Sequence, residues 1–448
     1  MDYQDLFIVQ EYIRDQQATI NKQLEAQRYY ENKANSYMNH DFLSLLVDEK
    51  VDYLLGKEPT FECSNKTYLE KALEILGNEA LYDLQELARE ASVKSVGWWQ
   101  AYIDEKGILR FMLIPSDEVI PVWKDKRHKE LDWVIRRYPV TVYEGASKKT
   151  RWKVEIYDRE YVYFYEEEDG VLRLDAEKYL DAKEGQEISH FYVDDEGYSM
   201  GRPPFVFLKN NAAEKSDLDK VKDLIDRYNN NRYRLDEVLE QFKNFLVNVK
   251  NYDGNQENEN NLKRMLENRI IYTGSDGGVD IITPTVDTQA NDSHNQTLKD
   301  DIILFGQSVD RNKMLNGTAA SGEALKRLYA GLDLKCNGLE RELNKFFNQV
   351  EYFIKSYLNQ AHISVSETDN INIIFNRDIG MNELEAIEMC KSSVGVISSK
   401  TIIVNHPWVK DADEEMQQLE EESTTEMNYA RKMVEKEIGK NGSNEDEN

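Results

Sequence analysis

Cysteine and proline are scarce in this chain: 3 cysteines and 8 prolines in 448 residues. Cys63, Cys336 and Cys390 lie far apart and form no CxxC pair, so neither a disulfide framework nor a thiolate zinc site is signalled, and a reducing compartment fits. Long apolar runs are also missing. The stretch Phe42 to Val47 is typical, and charges punctuate the first twenty residues, so neither a membrane span nor a secretory signal peptide is expected. This reads as a soluble protein made inside a cell. Positive charge is short as well: 56 Lys and Arg stand against 84 Asp and Glu, a net charge of −28. Such a chain offers no broadly basic face for phosphate groups, which disfavours tight, charge-driven nucleic-acid binding.

The familiar chemical motifs are absent too. There is no GxxxxGK[ST] to cradle phosphates, no GxGxxG, no GxSxG and no HExxH. Gly274 to Gly278 leads into a strand and reads as a hairpin turn. His40, His128, His190, His294, His362 and His406 are scattered, with no pair at the i, i+4 spacing of a zinc helix. Among 84 carboxylates, neighbours such as Asp194/Asp195 and Asp411/Asp413 are expected by chance, and nothing marks two as a general acid and base. The runs Glu166 to Glu168 and Glu420 to Glu422 read as solvated faces. Aromatics between Trp152 and Tyr165 follow period two and read as sheet packing rather than a base-stacking platform. No catalytic residue, metal ligand or cofactor is assigned.

What remains is a folded composition, 40% apolar and 10% aromatic, in a chain long enough for two or more packed units. Helical spacing predicts an exposed arm over residues 2–37, a helix from Asp41 to Leu55 and a third from about Thr67 to Val96. Period-two segments with turn-like separators then run from Trp99 to Leu208. With no helix between them, an antiparallel meander is expected rather than βαβ winding. Helical spacing returns from Leu218 to Phe242, with Ser216 a candidate cap and a polar interruption at Asn229 to Arg232. A small tip follows, with strands at 245–249, 270–273 and 279–283, and then a return helix over 289–309. The polar, small-residue stretch Asp310 to Ala320 reads as a mobile loop. Beyond it a helix of about forty residues starts near Ser321, with Gly331 and Gly338 as candidate bends. A strand at 371–375 and helices near 383–394 and 413–433 precede a polar, charged end expected to be disordered. An excursion of two helices must bury its apolar stripe, and copies of the same chain in a closed ring are a natural partner. A coiled-coil pair in a monomer or dimer is the alternative.

Several segments, in order, resemble the portal proteins of tailed double-stranded DNA bacteriophages, of the type found in siphophages of Gram-positive hosts. They are Phe42 to Pro59 (FLSLLVDEKVDYLLGKEP), Gly97-Trp98 with Ala101 to Asp104, Ile114 to Trp123, Pro204 to Asn211 with Asp223 to Asn229, and Ser321 to Lys326 (SGEALK). The resemblance covers roughly residues 40 to 430.

It implies an α+β portal-type protomer: a helical N-terminal arm (1–38), a wing of helices and antiparallel strands (39–215), a stem helix (216–244) and an α/β clip (245–286). A return helix (287–309), a tunnel loop (310–320), a long wing helix with a strand (321–382), crown helices (383–438) and a disordered tail (439–448) complete it. It further implies a ring, a dodecamer in the family, at one capsid vertex in the virion, assembled in the host cytoplasm. That ring would be a non-enzymatic conduit for packaging and ejecting double-stranded DNA. Terminase large subunit, head-completion or adaptor proteins, and the major capsid and scaffolding proteins are the implied partners. DNA would face Arg311, Asn312, Lys313, Asn316, Gly317 and Thr318 of the tunnel loop. Tyr252, Asn255, Tyr272 and Asp276 would lie on the terminase-docking clip, and Ser321, Glu323 and Lys326 would begin the long helix. A ring of such acidic copies would not grip phosphates strongly, so DNA could slide. The rival readings are a cytosolic coiled-coil scaffold and a metal-dependent nuclease.

Overall fold

The computed structural model describes residues 3–145, 147–179, 187–193, 196–241, 246–249, 260, 263–264, 267, 276–282, 288–310, 322–366, 368–377, 383–409, 412 and 414–422. The chain divides into two units, one of residues 1–311 with 329–378, the other of 312–328 with 379–448.

The first unit begins with α1 (Tyr3–Tyr30) and α2 (Phe42–Leu55). α1 ends short of the expected boundary because Asn32 takes a left-handed φ of 59°. The Lys33 N–H then reaches the Arg28 carbonyl at 2.7 Å and the Asn32 N–H reaches Tyr29, a Schellman-type close. α1 is not the exposed arm its polar composition suggested. Val9, Ile13 and Ile20 are buried against Ile120, Ile135, Val154, Ile156 and Leu172 of a sheet. Each such aliphatic side chain contributes about 1.5–3 kcal/mol by leaving water. The expected third helix is two: α3 (Lys66–Leu76) and α4 (Ala80–Lys94). They break at Gly77, whose φ of +83° no helix interior accommodates.

The strands form an antiparallel meander, as their alternation predicts. β1 (Thr60–Glu62) stands apart from the run and pairs with a late strand, β15 (Asn372–Ile374). β2 (Val96–Ile103) and β3 (Leu109–Ile114) make a hairpin. β4 (Val119–Trp123), β5 (Leu131–Glu144), β6 (Ser147–Tyr157), β7 (Tyr161–Glu168) and β8 (Val171–Leu174) follow in spatial order, with β9 (Ile188–Ser189) also on β7. β10 (Phe191–Val193) pairs with β11 (Glu196–Tyr198), and β12 (Phe205–Lys209) adds to β2, giving the three-stranded order β12-β2-β3. Because strand side chains alternate, neighbours serve different cores. Ile135 faces the α1 side, whereas Val134 packs with Trp98, Ile114, Phe205 and Phe207 on the other.

α5 (Lys222–Gln241), the antiparallel pair β13 (Leu246–Val249) and β14 (Val279–Ile282), and α6 (Thr288–Gly306) make the excursion. Long helix α7 (Gly322–Gln360) runs unbroken through Gly331 and Gly338. From Tyr329 onward it belongs to the first unit. Its stripe Leu339, Leu343, Phe346, Val350 and Phe353 is buried, with Phe346 edge-on to Trp99 at 5.0 Å between centroids. Gln349 lies along the free edge of β12. Its amide oxygen accepts the Phe207 N–H at 3.2 Å, and its Nε2 donates to the Phe207 carbonyl at 3.1 Å. In the second unit, α8 (Glu383–Ser392) is followed by α9 (Ser399–Val404), which the sequence reading missed and which is capped by Ser398 Oγ accepting the Thr401 N–H. Residues 414–422 are helical, within the expected 413–433. Among the described residues no helix is long and apolar enough to cross a membrane.

Candidate functional site: the root of the helical excursion

α5 and α6 run antiparallel and hold each other through amides. Asn231 Nδ2 donates to Asn295 Oδ1 at 2.8 Å and to Asn291 Oδ1 at 3.3 Å, and Asn295 Nδ2 donates to Asn291 at 2.9 Å. Asn229, 1% exposed, meets His40 Nδ1 at 2.7 Å. The polar stretch that looked like an interruption is therefore the junction between the two helices and the connector before α2. Aromatic edges reinforce it: Tyr228 stands perpendicular to His40 and to Phe42 at 4.9 and 5.0 Å. Leu235 on α5 and Leu298 and Ile302 on α6 are buried, so part of the expected stripe is sheltered inside the chain.

Where α5 begins, the chain turns through a buried ionic centre. Lys50 is wholly buried on α2. Its Nζ lies 2.7 Å from Asp217 Oδ2 and 2.7 Å from Asn210 Oδ1. Lys335 of α7 reaches the same Asp217 oxygen at 3.0 Å, and Asn210 Nδ2 donates to the other at 2.9 Å. Two ammonium groups thus share one carboxylate. Burial alone would push the Asp217 carboxyl up, but Lys50 and Lys335 outweigh it and hold the group well below the usual carboxylate range. Lys50 gains less. Burial, with Lys335 alongside, pushes its ammonium down to about 8 despite Asp217. Backbone bonds seat the turn on α4: the Asp217 N–H donates to Ser92 O and the Asn210 N–H to Ser95 O. Ser216, the expected cap, does not cap α5, because a separate 3-10 turn, Leu218–Lys220, precedes that helix; Ser216 instead closes a reciprocal box on that turn. Its Oγ accepts the Asp219 N–H, and Asp219 Oδ2 accepts the Ser216 N–H at 3.0 Å.

The returning end of α6 is fixed at the same place. Glu49 of α2 accepts the Val309 N–H at 3.0 Å and the Ser308 hydroxyl. Lys335 Nζ donates to Gly306 O at 2.9 Å, and Lys220 joins Gln307 at 3.0 Å. Gly306 has no side chain because Leu46 fills the space. Departure and return of the excursion are thereby anchored on α2 and α7. The arrangement is mechanical rather than chemical: at its centre Lys50 and Asp217 are buried, and with Lys335 they are paired with one another.

The residues singled out from sequence fall elsewhere. Arg311, Asn312, Lys313, Asn316, Gly317, Thr318, Ser321, Tyr252, Asn255 and Tyr272 lie outside the described residues. Asp276 is exposed in the turn before β14, and Glu323 and Lys326 are helical in the first turns of α7. The expected strand at 270–273 also lies outside. The centre on Lys50, Asp217 and Lys335 went unnoticed, although one signal existed: Lys50 follows Leu43, Leu46 and Val47 at helical spacing, on the buried face. Among the described residues no group of three or more His, Cys, Asp or Glu side chains is placed to hold a metal ion.

Comparison with known proteins gives a consistent result. Residues 2–429 match the family described as phage portal protein, SPP1 Gp6-like. The portal protein of Bacillus phage SPP1 is 30% identical over 396 residues, covering 88% of this chain and 77% of that protein. The portal protein of Clostridium phage phiCD119 is 29% identical over 430 residues, covering 92% and 91%. A chain in the solved virion of a native gene transfer agent particle aligns with a TM-score of 0.44 at 13% identity, covering 86% of this chain and 92% of that one. Neither the scaffold nor the nuclease reading finds a counterpart in these matches. This chain belongs to the SPP1 Gp6-like family of phage portal proteins.

Proposed function

We propose that this portal protein works as a closed ring, a dodecamer in the family's pattern, at one vertex of the capsid. There it conducts double-stranded DNA inward during packaging and outward during ejection. One observation favours a ring of copies over a solitary chain. The α5/α6 pair is clamped at its root, yet Val238 and Leu239 on α5 and Leu304 and Phe305 on α6 stay 38–67% exposed. Apolar side chains on a rigid helical pair need a neighbouring surface, and identical copies supply one. In this reading α5 and α6 are the stem, residues 245–286 the clip that docks terminase and later the head-completion proteins, and 310–320 the loop facing DNA. Residues 383–438 form the crown, and the capsid and scaffolding proteins surround the ring. The family is structural, and we read the chain as non-catalytic, with ATP hydrolysis supplied by the terminase large subunit.

Native mass measurement and imaging of the purified full-length protein test this. Closed rings of a defined subunit number are expected. Solitary molecules at every protein concentration and in the presence of capsid components overturn the ring.

A further inference from the structure

A net charge of −28 conceals one cationic face. The turn between β4 and β5 places Lys126, Arg127 and Lys129 within four positions. Asp125 organises it: its carboxylate accepts the backbone N–H of Arg127 at 2.8 Å, of Lys129 at 2.9 Å and of Glu130 at 3.1 Å. These donors, that of Lys129 foremost, hold the Asp125 carboxyl below its ordinary range. His128, at φ 52°, stacks on Trp123 at 4.8 Å and 10°, and its Nδ1 lies 2.8 Å from Glu214. Lys209 bonds Glu214 at 2.7 Å and the Arg127 carbonyl at 3.3 Å. The turn is thus tied down on two sides. The side chains of Lys126, Arg127 and Lys129 nevertheless stay exposed, with no ion pair among the described residues.

These three cations line a cleft of about 760 Å³ together with Lys209 and Lys345. Among the described lining residues the acids are Glu214 and Glu342, and both are engaged: Glu214 by His128 and Lys209, Glu342 by Lys345 at 2.8 Å, while Asp125 beside Lys129 is spent on the backbone N–H groups of its own turn. We infer that this cleft binds phosphate groups along a nucleic-acid strand, at a site distinct from segment 310–320. Repulsion from the rest of the chain is screened beyond ~8 Å at physiological salt, so the nearby cations decide a close contact. A strand presents one phosphate per ~3.4 Å, a density that three adjacent cations can meet. A folded acidic surface matches less well, since its carboxylates do not recur at the fixed short spacing of strand phosphates.

The inference does not depend on the ring. Anisotropy of labelled duplex DNA titrated with the full-length protein tests it across salt. Three neutralised phosphates give a log–log slope of about −2.7, or about a 40-fold loss of affinity between 50 and 200 mM salt. The variant K126Q/R127Q/K129Q should weaken binding and remove that slope. The charge-keeping K126R/R127K/K129R should bind as the parent does, as should K22Q/K66Q/K106Q, altered at exposed lysines elsewhere. An unchanged slope in the glutamine variant overturns the site. So does a glutamine variant that binds DNA normally but no longer forms rings, because the cleft then belongs to the acidic surface of a second copy.

Discussion

Leu46 closes over Gly306. A Cβ built on Gly306 would lie 2.6 and 2.8 Å from the two methyl carbons of Leu46, a side chain only 1% exposed. Gly306→Ala should therefore separate α2 from the end of α6 and cost about 1–3 kcal/mol, the usual range for overpacking. Thermal unfolding reads the loss. In a Leu46→Ala background the same substitution should cost little, and a full penalty there would exclude Leu46 as the cause.

Asp217 makes stability depend on acid. Its carboxyl is held below the unfolded value of about 3.9, so its contribution is fully present above that pH and fades as pH falls through the folded value. Over that interval the unfolded chain binds the extra proton, and stability falls by about 1.4 kcal/mol per pH unit. Asp217→Asn should lower stability at neutral pH by about 3–5 kcal/mol, because Lys50 is left buried without its counter-charge. It should also remove one proton's worth of slope below about pH 4. Denaturant unfolding from neutral to strongly acidic pH measures both, and an acid limb as steep as that of the parent would rule out Asp217 as its source.

Asn231 is the clasp between α5 and α6. Asn231→Ala leaves the buried Asn295 Oδ1 without its donor, while Asn291 Oδ1 keeps the Asn295 amide, and should cost about 1–3 kcal/mol. Hydrogen exchange should quicken in both helices together while the β2–β3 hairpin keeps its protection. Faster exchange in α5 alone would mean the clasp does not join them.

Under the proposed channel reading, Lys313 and Asn316 are the pair to change in the segment that faces DNA. Alanine at both should leave ring assembly intact and alter packaging efficiency, scored as DNA retained per particle after nuclease treatment. Loss of the ring would give the segment a structural role instead.

Much of the architecture was legible because the hydrophobic period is a local property. The switch from three- and four-residue spacing to alternation at Trp99 marked the start of the meander, and the helices on either side of 245–286 emerged from the same rule. Relations between distant segments were not legible. Val9, Ile13 and Ile20 showed a stripe, but nothing in α1 revealed the sheet that covers it. Asn229 and Asn231 looked like a break because their partners, His40 and Asn295, are remote in sequence. Lys50 and Asp217, 167 positions apart, could be joined only by the fold. Gly77 was a local signal that the length of the surrounding apolar pattern obscured.

The amide of Gln349 across Phe207 also bears on how such a protein stays dispersed. β12 ends its sheet, and an outer strand with unclaimed N–H and C=O groups invites backbone pairing with any other chain that meets it. Crowded copies would zip together along that border in arrays with no fixed size. One glutamine from a neighbouring helix occupies the spot where such pairing would start, leaving side chains rather than main chains to decide how copies meet.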